Sequence, residues 1–295
     1  MRHPVPSGLN LALTGFVVLF NAAVLFALPL LLARSLAYAL LLLPLLWVNN
    51  MQWGLIHEAV HKILHPNART NEWMGRLLAA MLGASFVVLR FGHLMHHRLN
   101  RDWHCELIGE KTLAARAKYY LDLVFGLFGA EVVASFLFAF LPRGTFLALA
   151  RATFMRDHKE AYASGVRFFY ERGQVNAVRA DVAGILVLYT GAFLAYGRFW
   201  PVLLAFIALR GLAISFMDNI YHYATPADNS KAAKELTLPR FASALLLNSN
   251  YHETHHLNPL VPWTLLPQQH AAQGRAFDGT FLAHGLMQFA GPVSV

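Results

Sequence analysis

The sequence predicts an all-α integral membrane protein with four transmembrane helices in two hairpins, further helices at the interface, and a cytoplasmic histidine-rich di-metal site. Three observations predict it. Of the 295 residues 57% are hydrophobic and only 14% charged, against roughly 25% charged in soluble domains. Four apolar stretches come near or exceed the roughly 20 residues that carry a helix across a bilayer. Nine of the fifteen histidines crowd into three short boxes and one further position.

The spans come first. Residues 9–33 and 36–56 are separated only by Arg34 and Ser35, and residues 182–200 and 201–217 by the region of Gly197 to Pro201. Each pair is a predicted helical hairpin. Arg2 and His3 precede the first stretch, but it is too long for a signal h-region and has no small-residue cleavage site before Arg34, so it is expected to stay as a span.

Charge then orients the hairpins. Nine Lys or Arg lie between His57 and Lys118 and seven between Pro142 and Ala180, whereas the hairpin tips carry only Arg34 and Arg198. The positive-inside rule therefore places both termini and the long middle segment in the cytoplasm, most simply at a bacterial inner membrane or an ER-type membrane. The net charge of +8 follows the same pattern and excludes a nucleic-acid partner, because the basic residues are spread beside apolar segments. The single cysteine, Cys105, permits no internal disulfide, no CxxC zinc site and no iron–sulfur cluster.

Two apolar stretches do not fit as spans. Residues 77–89 are too short, and residues 121–141 contain Asp122 and Glu131; a span there would put the later histidines across the membrane from the earlier ones. Both are predicted to be interfacial or re-entrant. Residues 146–172 mix aromatics with Arg156, Lys159, Arg167 and Arg172, as an amphipathic surface helix does. Without repeat, linker or low-complexity tract, residues 1–295 are expected to form one domain.

The histidines stand in "HEAVH" (His57, His61), "HLMHH" (His93, His96, His97), "DNIYHY" (His222) and "HETHH" (His252, His255, His256). Positions i, i+3 and i+4 share one helical face, so HxxxH offers two imidazoles in a row and HxxHH three that converge. Two metal ions could each be satisfied by four or five such nitrogens. Imidazole suits iron, zinc, copper and nickel, so the spacing names a metal site without naming the metal. A lone histidine at a membrane boundary is ordinarily a polar tip, which is the plain reading of His222 taken alone. His3, His65, His158, His270 and His284 are isolated and read as surface or packing residues, and His104 in "RDWHCE" as part of a solvated loop.

The three ordered boxes, with the tail "YHETHHLNPLVPWTLLP", resemble the membrane fatty acid desaturase and hydroxylase superfamily, the histidine-box di-iron enzymes of membranes, from about His57 to Pro267. The resemblance implies two non-haem iron ions with O2 as co-substrate and an apolar substrate entering from the membrane lipid. It also implies a separate electron donor of the ferredoxin, rubredoxin or cytochrome b5 type. Within it, His222 matches an extra histidine ligand that follows the last span. One turn earlier the family has an Asn reaching a metal through water, where this chain has Asp218 with Asn219 beside it. Asp218 and Asn219 thereby become water-mediated or orienting candidates, and Glu58 and Glu253 are expected to orient helices rather than bind metal. The expected reaction is desaturation of an aliphatic chain in a lipid or small metabolite, with hydroxylation or ketolation as the alternatives.

Two rival classes share some residues. "HEAVH" is also an HExxH, in which Glu58 would serve a zinc metalloprotease as general base, but both HxxHH boxes would then have no role. A metal transporter would place histidines inside its spans, and these spans have none; apart from Arg198 at the hairpin tip their only charged residue is Arg210, expected to snorkel or to pair with Asp218.

Overall fold

In a computed structural model the described residues are 3–99, 112–152, 159–226 and 229–292. His104, Cys105 and His158 lie outside them. Four helical stretches are long and apolar enough to cross a membrane: Ser7–Leu32, Leu36–Val60, Leu113–Phe140 and Val175–His222. They are not quite the four the sequence predicts, and the differences locate the site.

The first two, α1 (Ser7–Leu32) and α2 (Leu36–Val60), form the first predicted hairpin. At 1.5 Å per residue each is about 38 Å long, against a hydrocarbon core of about 30 Å. The turn between them is capped by the Ser35 hydroxyl, which accepts from the Ala37 amide at 3.2 Å. A π-helical turn over Ala23–Ala27 precedes Pro29 in α1; proline has no N–H to give its own rung of the ladder, and the chain accommodates the gap by widening.

Val175–His222 would be about 72 Å long if straight, twice a bilayer. The chain instead reverses at Gly197, whose φ of +47° suits a residue without Cβ. This gives the second predicted hairpin. Helices α6 (Val175–Tyr196) and α7 (Trp200–His222) pack Ala192 and Tyr196 against Leu203 and Phe206. The same apolar cluster takes in Val24, Leu25 and Leu45, so the tips of the two hairpins share a core.

Between α2 and the second hairpin lies a bent pair, α3 (Ala68–Leu82) and α4 (Phe86–Leu99), which turn by 99° across Gly83–Ser85. Residues 77–89 thus fold as a sharp corner within this bent pair. Gly83 adopts φ +97° and closes α3 by donating to the Ala79 carbonyl at 3.0 Å. Ser85 fixes the exit: its hydroxyl donates to Asp181 at 2.7 Å and its amide to the Ser135 hydroxyl at 3.0 Å.

A helix that ends inside an apolar bundle leaves carbonyls that water cannot reach, and each needs a partner. Here Gln52 donates to the Leu78 carbonyl at 2.7 Å, Tyr189 to the Met81 carbonyl at 3.0 Å, and Arg210 also donates to Met81. The Arg210 guanidinium is fully buried, bonded as well to Asn21 and Tyr189, and packed over the Phe206 ring at 4.0 Å. Its positive charge faces the negative end of the α3 dipole. Arg210 therefore neither snorkels nor pairs with Asp218, as the sequence had suggested; its partner is a helix end that was invisible in the linear chain.

Helix α5 (Leu113–Phe140) passes the length and composition test for a span, yet both its ends are fastened to the same end of the α6/α7 hairpin. Tyr119 lies 6.4 Å from the Tyr223 ring, just past the end of α7, while the Ala139 carbonyl accepts from Arg179 in the first turns of α6. In between, the Phe128 amide donates to Ser215. In length and hydropathy the helix is a candidate span, where the sequence reading expects an interfacial or re-entrant segment. It begins at Leu113, eight residues earlier than the apolar run. The surface region predicted at 146–172 is built of Arg143–Ala152 and, from Lys159, a helix widening into a π-turn through Glu171; Phe146 and Phe169 stack on Phe138 of α5 at 4.1 and 3.8 Å. A two-residue parallel pairing of β1 (Leu236–Thr237) with β2 (Gly279–Thr280) is the only strand pair among the described residues.

Arg210→Met should lower the thermal midpoint of the purified protein, because a buried acceptor left unsatisfied costs about 1–3 kcal/mol. Arg210→Lys, which keeps the charge but not the fork of donors, should fall between. An unchanged midpoint for Arg210→Met would show that α3 does not need this cap.

Candidate metal centre

Four chain segments deliver the histidines to one end of the bundle. His57 sits in the last turn of α2 and His61 at its C-terminal cap. His93, His96 and His97 lie on the second half of α4, which the 99° corner aims back toward that same end. His222 closes α7, and α8 (His252–Leu257) carries His252, His255 and His256. The i, i+3, i+4 spacing works as the helical period requires: within each HxxHH box the rings share a face.

All nine predicted histidines come together, in two groups. His57, His61, His93, His97 and His255 form one and His96, His222, His252 and His256 the other, with the ligand atoms of each group all within 4.8 Å of one another. Each HxxHH box is divided between the groups, so neither can form without both α4 and α8. The groups are adjacent: the rings of His97 and His256 lie 4.4 Å apart.

The nitrogens meet tip to tip. In the first group Nε2 of His93 is 2.9 Å from Nε2 of both His61 and His97, and His97 is 3.0 Å from His255. In the second, His96 meets His256 at 3.1 Å and His252 meets His222 at 3.0 Å. Imidazole nitrogens bound at about 2.1 Å and at right angles lie about 3.0 Å apart, which is the spacing found. The buried Nε2 of His57 has no hydrogen-bond partner among the described residues. Buried polar atoms of native proteins are satisfied, and a cation at the centre of the group would satisfy this one.

The chain also sets tautomers. A carbonyl only accepts, so Nδ1 of His222 donates to Ala232 at 3.3 Å and Nδ1 of His256 to Ser230 at 3.1 Å. Each ring then keeps its Nε2 lone pair facing its group. Lys231 donates to the His256 carbonyl at 2.8 Å. Glu235 accepts from the Thr254 amide at 2.5 Å, inside the HETHH box, and burial raises its carboxyl to about 7 against that bond. None of Ser230, Lys231, Ala232 and Glu235 stood out in the sequence. Two act through backbone carbonyls, which any residue has, and nothing in the linear chain marks Glu235 as buried.

The four carboxyl and amide candidates sit as follows. Glu58 accepts from the Trp263 amide at 3.2 Å and lines a cavity beside the histidines, tying α2 to the segment after α8. Asp218 lines the same cavity. Asn219 instead donates to Gln288 at 2.6 Å, and Glu253 pairs with Arg275. Among the isolated histidines, His65 accepts from the Asn67 amide at the surface, and His270 is buried against Phe277 at 4.5 Å. Neither belongs to the two groups.

Burial keeps the imidazoles neutral, the form that binds metal. Those of His252 and His255 lie well below their ordinary value through burial and then through their histidine neighbours; burial brings His61 to about 3 and His256 to about 4. The unfolded chain, with imidazoles near 6.5, takes up protons first as pH falls, so this contribution to stability is complete above about 6.5 and is lost towards 4. The thermal midpoint of chelator-stripped protein should therefore fall steadily from pH 7 to pH 5; a flat profile would mean that the rings are solvated rather than buried.

No curated protein matches the chain. A family model described as fatty acid desaturase matches residues 32–285, from the end of α1 to beyond α8 and through every histidine of both groups. With four segments, two adjacent imidazole groups and that match over most of its length, the chain belongs to the fatty acid desaturase family.

Proposed function

We propose that the protein is an oxygen-dependent di-iron membrane desaturase that introduces a double bond into an aliphatic chain of a lipid or small lipid-like metabolite. The observation that carries this is the division of nine histidines into adjacent groups of five and four, each able to hold one metal ion. Family membership supports fatty acid modification of the desaturase or hydroxylase type. When bound, a non-haem di-iron centre supplies, with O2 and two electrons from a separate donor protein, the oxidising power to take hydrogen from an unactivated carbon, which no side chain can do.

The chain's own residues have three tasks. The imidazoles of His57, His61, His93, His97 and His255 would hold one ion, and those of His96, His222, His252 and His256 the other. The Ser230 and Ala232 carbonyls keep two of these rings in the ligating tautomer. A narrow cavity then brings an apolar chain alongside: Trp53, Gly54, Met217, Leu246 and Leu247 line it, with His57, His252 and His255 on its wall. At Gly54 a Cβ would come within 2.9 Å of Leu247, so the glycine is what lets the two walls close. Asp218 and Glu58 are the acids at this cavity, placed to hold water or orient a ring.

A protease built on HEAVH would need Glu58 free to activate water. Here Glu58 accepts from the Trp263 amide, and both HxxHH boxes would be unused. The oxygen-activating reading uses every box. Hydroxylation shares the same centre and differs in whether a second hydrogen leaves or an oxygen atom stays. The basic middle segment supports a centre on the cytoplasmic side of a bacterial inner membrane or an ER-type membrane, within reach of a ferredoxin, rubredoxin or cytochrome b5.

The test is expression in a bacterial host and mass spectrometry of the extracted lipids and small metabolites. Products lacking two hydrogens are expected; products gaining one oxygen would favour hydroxylation. His255→Ala and His96→Ala each remove one ligand from a different group, and both should abolish the product and lower bound metal while the chain still inserts in membranes. Full product formation by either variant would refute the ligand assignment.

A further inference from the structure

A second cavity, of about 270 Å³, lies between α4, α5 and the surface helices that follow, and shares no lining residue with the cavity beside the histidines. Val88, Phe91, Ala134, Phe138, Phe146 and Val166 make its walls apolar. Inside it stands one carboxyl group, that of Glu131, 7% exposed, with no hydrogen-bond partner for Oε2 among the described residues. Gly92, one residue before His93, makes room for it: a Cβ there would come within 3.0 Å of Oε1. The Tyr170 hydroxyl, on another wall of the cavity, is likewise buried and unpartnered.

A buried carboxyl oxygen without a partner costs free energy, and the fold has kept one here while surrounding it with aliphatic and aromatic carbon. A water held in such a cavity needs two to four polar partners, more than these walls gather around Glu131. An apolar molecule with one polar end fits both demands, its body on the carbon walls and its head at the carboxyl. A carboxylate head would repel Glu131, and an ammonium head would bury a charge. A hydroxyl suits the carboxyl in either protonation state, because it both donates and accepts.

We propose that this cavity is a second ligand site, separate from the metal centre, that binds an aliphatic alcohol with its hydroxyl on Glu131. The site stands on its own geometry and does not depend on which reaction the histidines support. Because Gly92 and His93 are consecutive on α4, an occupant would press on the same helix that carries one histidine box.

The test uses the full chain in phosphatidylcholine nanodiscs and two photoreactive probes: a medium-chain primary alcohol bearing a diazirine near its tail, and the matched alkane without the hydroxyl. The alcohol should label peptides covering 133–150 or 162–170, and unlabelled alcohol should compete. Glu131→Leu should cut alcohol labelling about tenfold, the scale of one lost hydrogen bond, and leave alkane labelling unchanged, whereas Glu131→Gln should retain most of it. Ala134→Phe, which fills the cavity and leaves Glu131 in place, should also abolish labelling and serves if the leucine variant does not fold. Equal labelling by both probes, alcohol labelling that survives Ala134→Phe, or stronger labelling by a matched amine would overturn the proposal.

Discussion

Everything in this fold answers to one demand: imidazole nitrogens from four distant segments must meet at about 3 Å, in the neutral form, at one end of an apolar bundle. No single helix can supply them. A helix repeats its face every three or four residues, so one box yields two or three rings, and the remainder must arrive on other helices. The two hairpins return the chain to the same side, which is why His57, His61 and His222 stand at helix ends, and the 99° corner turns α4 back to that side. Dividing each HxxHH box between the two groups makes the centres interdependent, because moving α4 or α8 disturbs both.

The corner carries its own requirement. Ending α3 within the bundle exposes carbonyls where no water can serve them, and Gln52, Tyr189 and Arg210 meet that need from three different helices. The intramembrane charge at position 210 is thus linked to the histidines at one remove. It holds the end of α3, the end of α3 sets the corner, and the corner aims α4. Asn21, Asn49, Gln52 and Arg210 serve this architecture through bonds to one another and to backbone carbonyls.

Much of this was legible in the sequence, and for a physical reason. Membrane spans are read from length and hydropathy because lipid permits no other local solution, and the HxxxH and HxxHH spacings are read from helical period. Thus both hairpins and the nine histidines were in view at the outset. What could not be read depends on tertiary contact or on backbone. The carbonyls of Ser230 and Ala232 have no side-chain signature, Glu235 is an ordinary acid until α8 folds against it, and the partner of Arg210 exists only once α3 ends. Helix α5 illustrates the limit from the other direction: Asp122 and Glu131 argue against a span in the linear chain, yet over Leu113–Phe140 its length and hydropathy are those of one.

The central claim is that the nine histidines make two metal sites that take iron. Metal content per chain, measured by mass spectrometry on protein purified in detergent after expression with added iron, tests it most directly. Two irons per chain is the result this account predicts. A single zinc with no iron under those conditions would contradict it and would direct attention to His57, Glu58 and His61 alone.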